Sequence, residues 1–208
     1  MRTAIYVDGF NFYYRALKGT PYRWVDLHAL ATQLIKPTNQ ITLIRYFTAR
    51  VKPHASKPDQ HVRQDAYLTA IQEHIPCLKV HEGLFYSNKT RMPLANPQPG
   101  EPKTVEVIKT EEKGSDVNLA VHLVHDALTN AFDVALVISN DSDLAEAIRL
   151  ARSTGKPVGV ANPCADPNRK MTYQLYQAAS FIRRIEAKHL KSSQLPDPVG
   201  ITHKPSKW

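Results

Sequence analysis

The chain has 208 residues, of which 42% are hydrophobic and 22% charged, with a formal net charge of +8. That composition excludes a disordered or fibrous chain and suits one globular domain able to bury its own core. Cys77 and Cys164 stand alone, which argues against a disulfide scaffold or a thiolate zinc site and for a reducing compartment. No long apolar run opens the chain, so the expectation is a cytoplasmic protein with no signal peptide and no membrane span.

In chain order, residues 3–7 form a short apolar run ending in Asp8-Gly9, which predicts a buried strand entering a functional loop. Residues 10–17 and 26–35 predict helices, the second with Asp26 as N-cap and Pro37 as its stop. Residues 41–49 are rich in β-branched and aromatic side chains, as in a strand. A helix follows over about 59–74, with Val62, Ala66, Ile71 and Ile75 spaced for one buried face, and then a strand over 78–86. Residues 87–102 hold four prolines and little periodicity, which predicts a loop or flap. Beyond it come a strand over 103–111, a helix over 116–130, an apolar strand over 133–139 and a helix over 143–153 closed by Gly155. A strand over 157–161, a helix over 172–179 and the run 181–185 complete a domain of residues 1–186. Residues 187–208 are polar and proline-bearing, and predict an irregular tail.

Strands alternating with helices predict a three-layer α/β/α sandwich with a mainly parallel central sheet. Ligands in such sheets bind beyond the carboxyl ends of the strands. Asp8, Asp141 and Asp143 fall at strand ends and Asp116 at a helix start, so four carboxylates from three distant segments share one edge. Oxygen-only ligands suit Mg2+ or Mn2+ rather than zinc, and such ions activate water and hold a phosphate. Asp116 and Asp143 are equally well placed to cap helices, and Asp8-Gly9 has the composition of a turn. The conjunction, not any single member, points to a site.

VDGFN (residues 7–11), EEKGSDVNLA (111–120) and VISNDSDL (137–144) resemble, in order and spacing, the three motifs of the NYN domain, a branch of the PIN-like nuclease superfamily. The resemblance covers roughly residues 3–185 and implies an α/β/α fold and a metal-dependent ribonuclease. By that likeness Asp8, Asp116, Asp141 and Asp143 bind the metal, Asn11 helps position water or phosphate, and Ser139 and Asn140 shape the loop presenting the last two acids. One departure is His122, where many relatives carry a further acid. Six residues beyond Asp116 is about 600° of helical turn, so His122 points away from it, on a polar stripe with Asn118, His125 and Thr129 read as a solvated face.

A basic rim suits a polyanion, here RNA in single-stranded or looped form, gathered around an acidic centre that waits for metal. Lys113-Gly114-Ser115 precedes a helix whose first amides are able to take a phosphate. Arg45, Arg50, Lys52, Lys89 and Arg91 add charge, while Tyr13, Tyr14 and Tyr86 offer stacking faces and Phe85 fits a core. Hydrolysis by a metal-activated water would leave a 5′ phosphate and a 3′ hydroxyl. Two rivals stand beside this reading: a module that grips RNA or a partner without cutting, and a metal-dependent DNA nuclease or phosphatase. An exposed apolar helix leaves a homodimer open. No Gly-rich phosphate loop, HExxH pair or nucleophile elbow is present, and His54, His61 and His74 stand apart.

Overall fold

In a computed structural model of the chain, residues 1–53, 58–98, 100, 102–164, 166 and 169–208 are described; His54 lies outside them. Seven strands, β1 (Arg2–Asp8), β2 (Gln40–Ala49), β3 (Leu78–Pro93), β4 (Thr104–Lys113), β5 (Val134–Ile138), β6 (Val158–Asn162) and β7 (Phe181–Arg184), form one sheet in the order β4-β3-β2-β1-β5-β6-β7. Every pairing is parallel except β3 with β4. The chain builds outward from β1 through β2 to β3 and β4, then returns to place β5 on the other side of β1. The carboxyl ends of β1 and β5 therefore face each other where the winding reverses, the position at which open α/β sheets leave a crevice.

Alternation along the strands divides the core. Ile5 and Val7 join one apolar cluster with Leu17, Leu30, Leu68 and Ile71, while Ala4 and Tyr6 join the other with Leu119, Leu123, Ile148 and Leu175. One layer thus holds α1 (Gly9–Phe12), the π-helical turn Tyr13–Leu17, α2 (Leu27–Leu34) and α3 (Gln60–His74). The other holds α4 (Ser115–Leu128), α5 (Ala145–Ser153) and α6 (Tyr173–Ala178). The expected α/β/α sandwich is what forms, and Asp26 caps α2 by accepting from the amides of His28 and Ala29 at 2.9 and 3.0 Å.

Three local expectations are corrected. The buried face of α3 is Tyr67, Leu68, Ala70 and Ile71, and Val62 is exposed. Residues 87–93 are not loop: β3 runs on to Pro93, its second half paired with β4 from Leu84↔Lys113 to Pro93↔Thr104. Cross-strand hydrogen bonding there outweighs weak hydrophobic periodicity, and Pro93 is tolerated because it lies at the strand end. Residues 187–208 pack on the domain as a tail, but not as an irregular one throughout. They open with α7 (Ala187–Ser192), capped reciprocally by Glu186 and His189, and insert Leu190, Leu195 and Val199 into the first cluster. Trp208 closes the segment against Trp24, with ring centroids 6.2 Å apart.

Val117, Val121 and Leu128 form an exposed apolar stripe on α4. Among the described residues no helix is long and apolar enough to cross a membrane.

Candidate active site

Asp8 ends β1 and is nearly fully buried. Its Oδ1 accepts from the Asn11 amide at 3.0 Å, capping α1, and its Oδ2 accepts from the Ser139 hydroxyl at 2.8 Å. The Ser139 Oγ in turn accepts from the Asp141 amide at 3.0 Å, and Asp141 Oδ1 accepts from the Asp143 amide at 3.0 Å. Asn11 Oδ1 accepts from the Asn140 amide at 3.0 Å. Six residues of two distant motifs are thereby tied into one network across the ends of β1 and β5. Gly9 makes room for it: a Cβ there would lie 2.6 Å from the Phe47 carbonyl oxygen and 2.8 Å from the Tyr46 ring. It is close approach, not a turn conformation, that requires glycine.

The other two acids are held differently. α4 is capped by Gly114 with a left-handed backbone, φ 102°, and its side-chain positions supply no capping bond. Among the described residues neither the Asp116 nor the Asp143 carboxylate takes a hydrogen bond, and the capping bonds are made by Asp8 and Asp141 instead. Two carboxylates are held by hydrogen bonds and two are not.

A fifth acid joins them. Glu112, opposite Phe85 in the β3–β4 ladder, accepts from the Ser115 amide at 3.1 Å and the Ser115 hydroxyl at 2.8 Å. The helix start read as a phosphate seat is therefore covered by a carboxylate. Lys113 lies instead on the hairpin, its Nζ 6.0 Å from the centre of the Tyr86 ring.

Electrostatics record the crowding. Burial first, then the charges of Asp8, Asp141, Glu112 and Asp143, push the Asp116 carboxyl up from 3.8 to about 6. Burial also raises Asp8, with Asp141 and Glu112 adding to the effect against the hydrogen bonds from Asn11 and Ser139. Among the described residues no Lys, Arg or His forms an ion pair with any of the five. The donor set is carboxylate oxygen throughout, which fits a hard divalent ion. Among the described residues no three His, Cys, Asp or Glu side chains already converge as a coordination shell.

The raised carboxyls set a pH expectation for metal-free protein. A carboxyl whose folded value exceeds its unfolded one stabilises the fold fully below about 3.8, and that contribution is lost as pH rises through about 6. The rise corresponds to roughly 3 kcal/mol, which partial solvent exposure reduces to about 1 kcal/mol. Asp116→Asn should raise the Tm by about 2–4 °C at pH 7.5 in chelator, and by little at pH 4. Calorimetry at the two pH values checks this.

Beneath the acids, Asp126 accepts from Tyr6 Oη at 2.7 Å and from Arg45 Nε and Nη2 at 2.7 and 2.9 Å. Arg45 is thus committed to a buried pair and is not a rim charge. Its Nη1 lies 3.0 Å from His81 Nε2, and the His81 ring packs 4.2 Å from that of His122. His122 therefore packs toward β3 and Phe47 and is half-buried, not a fully solvated side chain. The apolar sheet face and the second imidazole draw it inward. Burial, then His122 and Arg45, lower His81 to about 4. Of the other expected rim charges, Arg50 pairs with Asp65 and Glu82, and Lys89 with Glu106.

On the opposite side of Gly9, an aromatic-walled cavity of about 80 Å³ is lined by Tyr13, Tyr46, Tyr67 and Trp208, with Arg23 and Arg63 at its margin. Burial and the nearby Asp8 raise the Tyr46 hydroxyl above its ordinary value. Sequence reasoning missed this cavity, Glu112 and the Asp126 network. The only local signal for Glu112 was its place three residues before a serine at a helix start.

The family described as the NYN domain matches residues 2–184. A protein of Pseudomonas putida (strain DSM 28022 / S16), named 6-hydroxy-3-succinoylpyridine 3-monooxygenase HspA, is 34% identical over 235 residues, spanning 100% of this chain and 75% of its own. A crystal structure of a Vibrio parahaemolyticus protein of unknown function, VPA0982, superposes with a TM-score of 0.53 over 93% of this chain and 96% of that one. Its 14% identity makes it a likeness of fold alone.

Proposed function

The chain belongs to the NYN domain family, and on that footing we propose that it is a metal-dependent endoribonuclease acting in the cytoplasm. The observation that carries the reading is the electrostatic coupling of Asp8, Asp116, Asp141 and Asp143 at the sheet's reversal point, with no cationic side chain paired to them among the described residues. Mg2+ or Mn2+ held there would supply Lewis acidity at the phosphate and a lowered pKa for water.

The chain's own residues do the positioning. Asp8 and Asp141 are oriented by Ser139, while Asn11 and the Asn140 amide hold the two strand ends at fixed separation. Asp116 and Asp143 would complete a donor set for the ion, and burial with the neighbouring charges holds the Asp116 proton up to about pH 6. Lys113, with no carboxylate paired to it, lies on the hairpin beside the acids and meets the RNA backbone. Cleavage leaves a 5′ phosphate and a 3′ hydroxyl.

Quenched-fluorophore RNA and DNA oligonucleotides, incubated with Mn2+, Mg2+ or chelator, test the reading. Internal cleavage of RNA that chelator stops is expected. Cleavage of DNA alone would defeat the RNA assignment, and metal-free RNA binding without any cutting would favour a gripping module.

The aromatic cavity favours a second reading. Its tyrosine and tryptophan walls and two guanidinium groups have the chemistry to hold a planar ring bearing a carboxylate, and the Pseudomonas relative is named for such a compound. Titration calorimetry with 6-hydroxy-3-succinoylpyridine checks it: saturable heat that Arg63→Ala removes would support this reading, and no heat would reject it.

A further inference from the structure

A groove of about 380 Å³ opens beyond the carboxyl ends of β6 and β7, bounded by α6 and by residues 169–171. That is within the range of functional clefts, ~300–1,000 Å³. Four cations line it: Arg169, Lys170, Arg183 and Arg184. Arg169 is partly offset by Asp166 at 3.8 Å. Arg183 spends its donors on the carbonyls of Leu34 and Ile182 at 2.9 Å each, and Arg184 on the carbonyls of Cys164, at 3.1 Å, and Asp166. Backbone carbonyls orient a guanidinium without neutralising it. Among the described residues Lys170 has no carboxylate paired to it, so Lys170 and Arg184 present uncompensated positive charge at the groove, while the Arg183 guanidinium is drawn toward α2 and over the Phe181 ring.

The same surface carries two aromatic rings. Tyr173 and Tyr176 are 72% and 60% exposed, and their spacing on α6 puts them on neighbouring turns of one face. Tyrosines this exposed contribute little to the core. Their open ring faces beside uncompensated cations have the makeup of surfaces that hold single-stranded nucleic acid, on which bases stack while the backbone is neutralised. At the floor, Asn162 is buried and its side-chain oxygen has no hydrogen-bond donor among the described residues.

The groove is fastened to the acidic cluster. Asn140 Nδ2 donates to the Lys170 carbonyl at 3.2 Å, and Asn140 Oδ1 accepts from the Thr172 amide at 2.8 Å. One residue's side chain thus connects Lys170 and Thr172 to the backbone that presents Asp141. A strand leaving the acids toward β6 enters the groove.

We propose that this groove is a track for single-stranded RNA flanking the cleavage site, with Tyr173 and Tyr176 stacking on bases and Lys170 and Arg184 meeting phosphates. The inference rests on the nuclease reading and names where its substrate lies. It is tested by fluorescence anisotropy of a labelled eight-nucleotide oligouridylate in an Asp141→Asn background with Mn2+. Tyr173→Ala/Tyr176→Ala should weaken binding by about tenfold or more, and Tyr173→Phe/Tyr176→Phe should retain it. Lys170→Gln should lower the slope of log affinity against log salt by about one. A chain that cuts RNA, yet whose alanine and glutamine variants bind as tightly as the parent, overturns the groove and leaves the nuclease reading standing. A parent that neither binds nor cuts RNA overturns both. Binding that the variants lose supports the groove even if no cleavage is found.

Discussion

Asp141→Asn is expected to reduce metal-dependent cleavage of RNA by on the order of a thousandfold or more, about 4 kcal/mol of transition-state stabilisation. The substitution is chosen for what it preserves. Asp141 Oδ1 accepts from the Asp143 amide, and an asparagine oxygen keeps that bond, so the turn after β5 is retained. What disappears is one negative charge from a cluster whose members already raise one another's carboxyl values. The fold should be no less stable, while stabilisation by Mn2+, which grows with the logarithm of ion concentration over Kd, should largely vanish. Single-turnover cleavage together with thermal shifts in Mn2+ and in chelator separates the two effects. A variant that cuts at the parental rate would remove Asp141 from the mechanism.

Asp126→Ala should produce the largest loss of stability outside the apolar core, about 3–5 kcal/mol, because breaking one side of a buried pair strands the other. Asp126 accepts three hydrogen bonds, one from Tyr6 and two from Arg45. The Arg45 and Asp126 side chains are only 12% and 4% exposed. Removing the carboxylate leaves a guanidinium and a phenol without their partner beneath the site. At roughly 2–4 °C per kcal/mol for a chain of this size, the Tm should fall by about 6–20 °C. The double replacement Arg45→Met/Asp126→Leu should recover most of that loss, since apolar groups of similar volume replace such pairs at little cost. Denaturant unfolding of the parent and the two variants measures this. Recovery by the double variant would assign the network to specificity of packing, whereas equal loss in both variants would point to cavity formation alone.

Acid sensitivity should reflect two opposing groups. His81, lowered to about 4, favours the fold above about pH 6.5 and loses that contribution as pH falls toward 4. Asp116 acts in the opposite sense over 3.8 to about 6. The Asp116→Asn variant should therefore show a steeper loss of stability on acidification than the parent.

Much of this architecture was written locally. Apolar runs of five to seven residues, Asp26 ahead of a helix and Gly155 behind one announce the elements, because dihedral preference, periodicity and capping act within a few residues. The NYN motifs point to Asp8, Asp116, Asp141 and Asp143 as one group, since strand ends in a parallel sheet share an edge. Where expectation failed, a partner far along the chain had decided. Residues 87–93 became strand because β4 pairs with them, and the C-terminal segment folded because Trp24 and Tyr67 offered Trp208 a surface.

The sequence by itself determined the order of strands and helices, the α/β class and the acids that end the strands. Only the tertiary structure decided which acids act as caps, that Glu112 joins them, that Arg45 is spent on Asp126 and that His122 turns inward. The physical reason is range. Backbone preferences operate across one or two turns of chain, whereas charge repulsion, hydrogen bonding and ring packing at the site act between residues more than a hundred positions apart, such as Asp8 and Ser139.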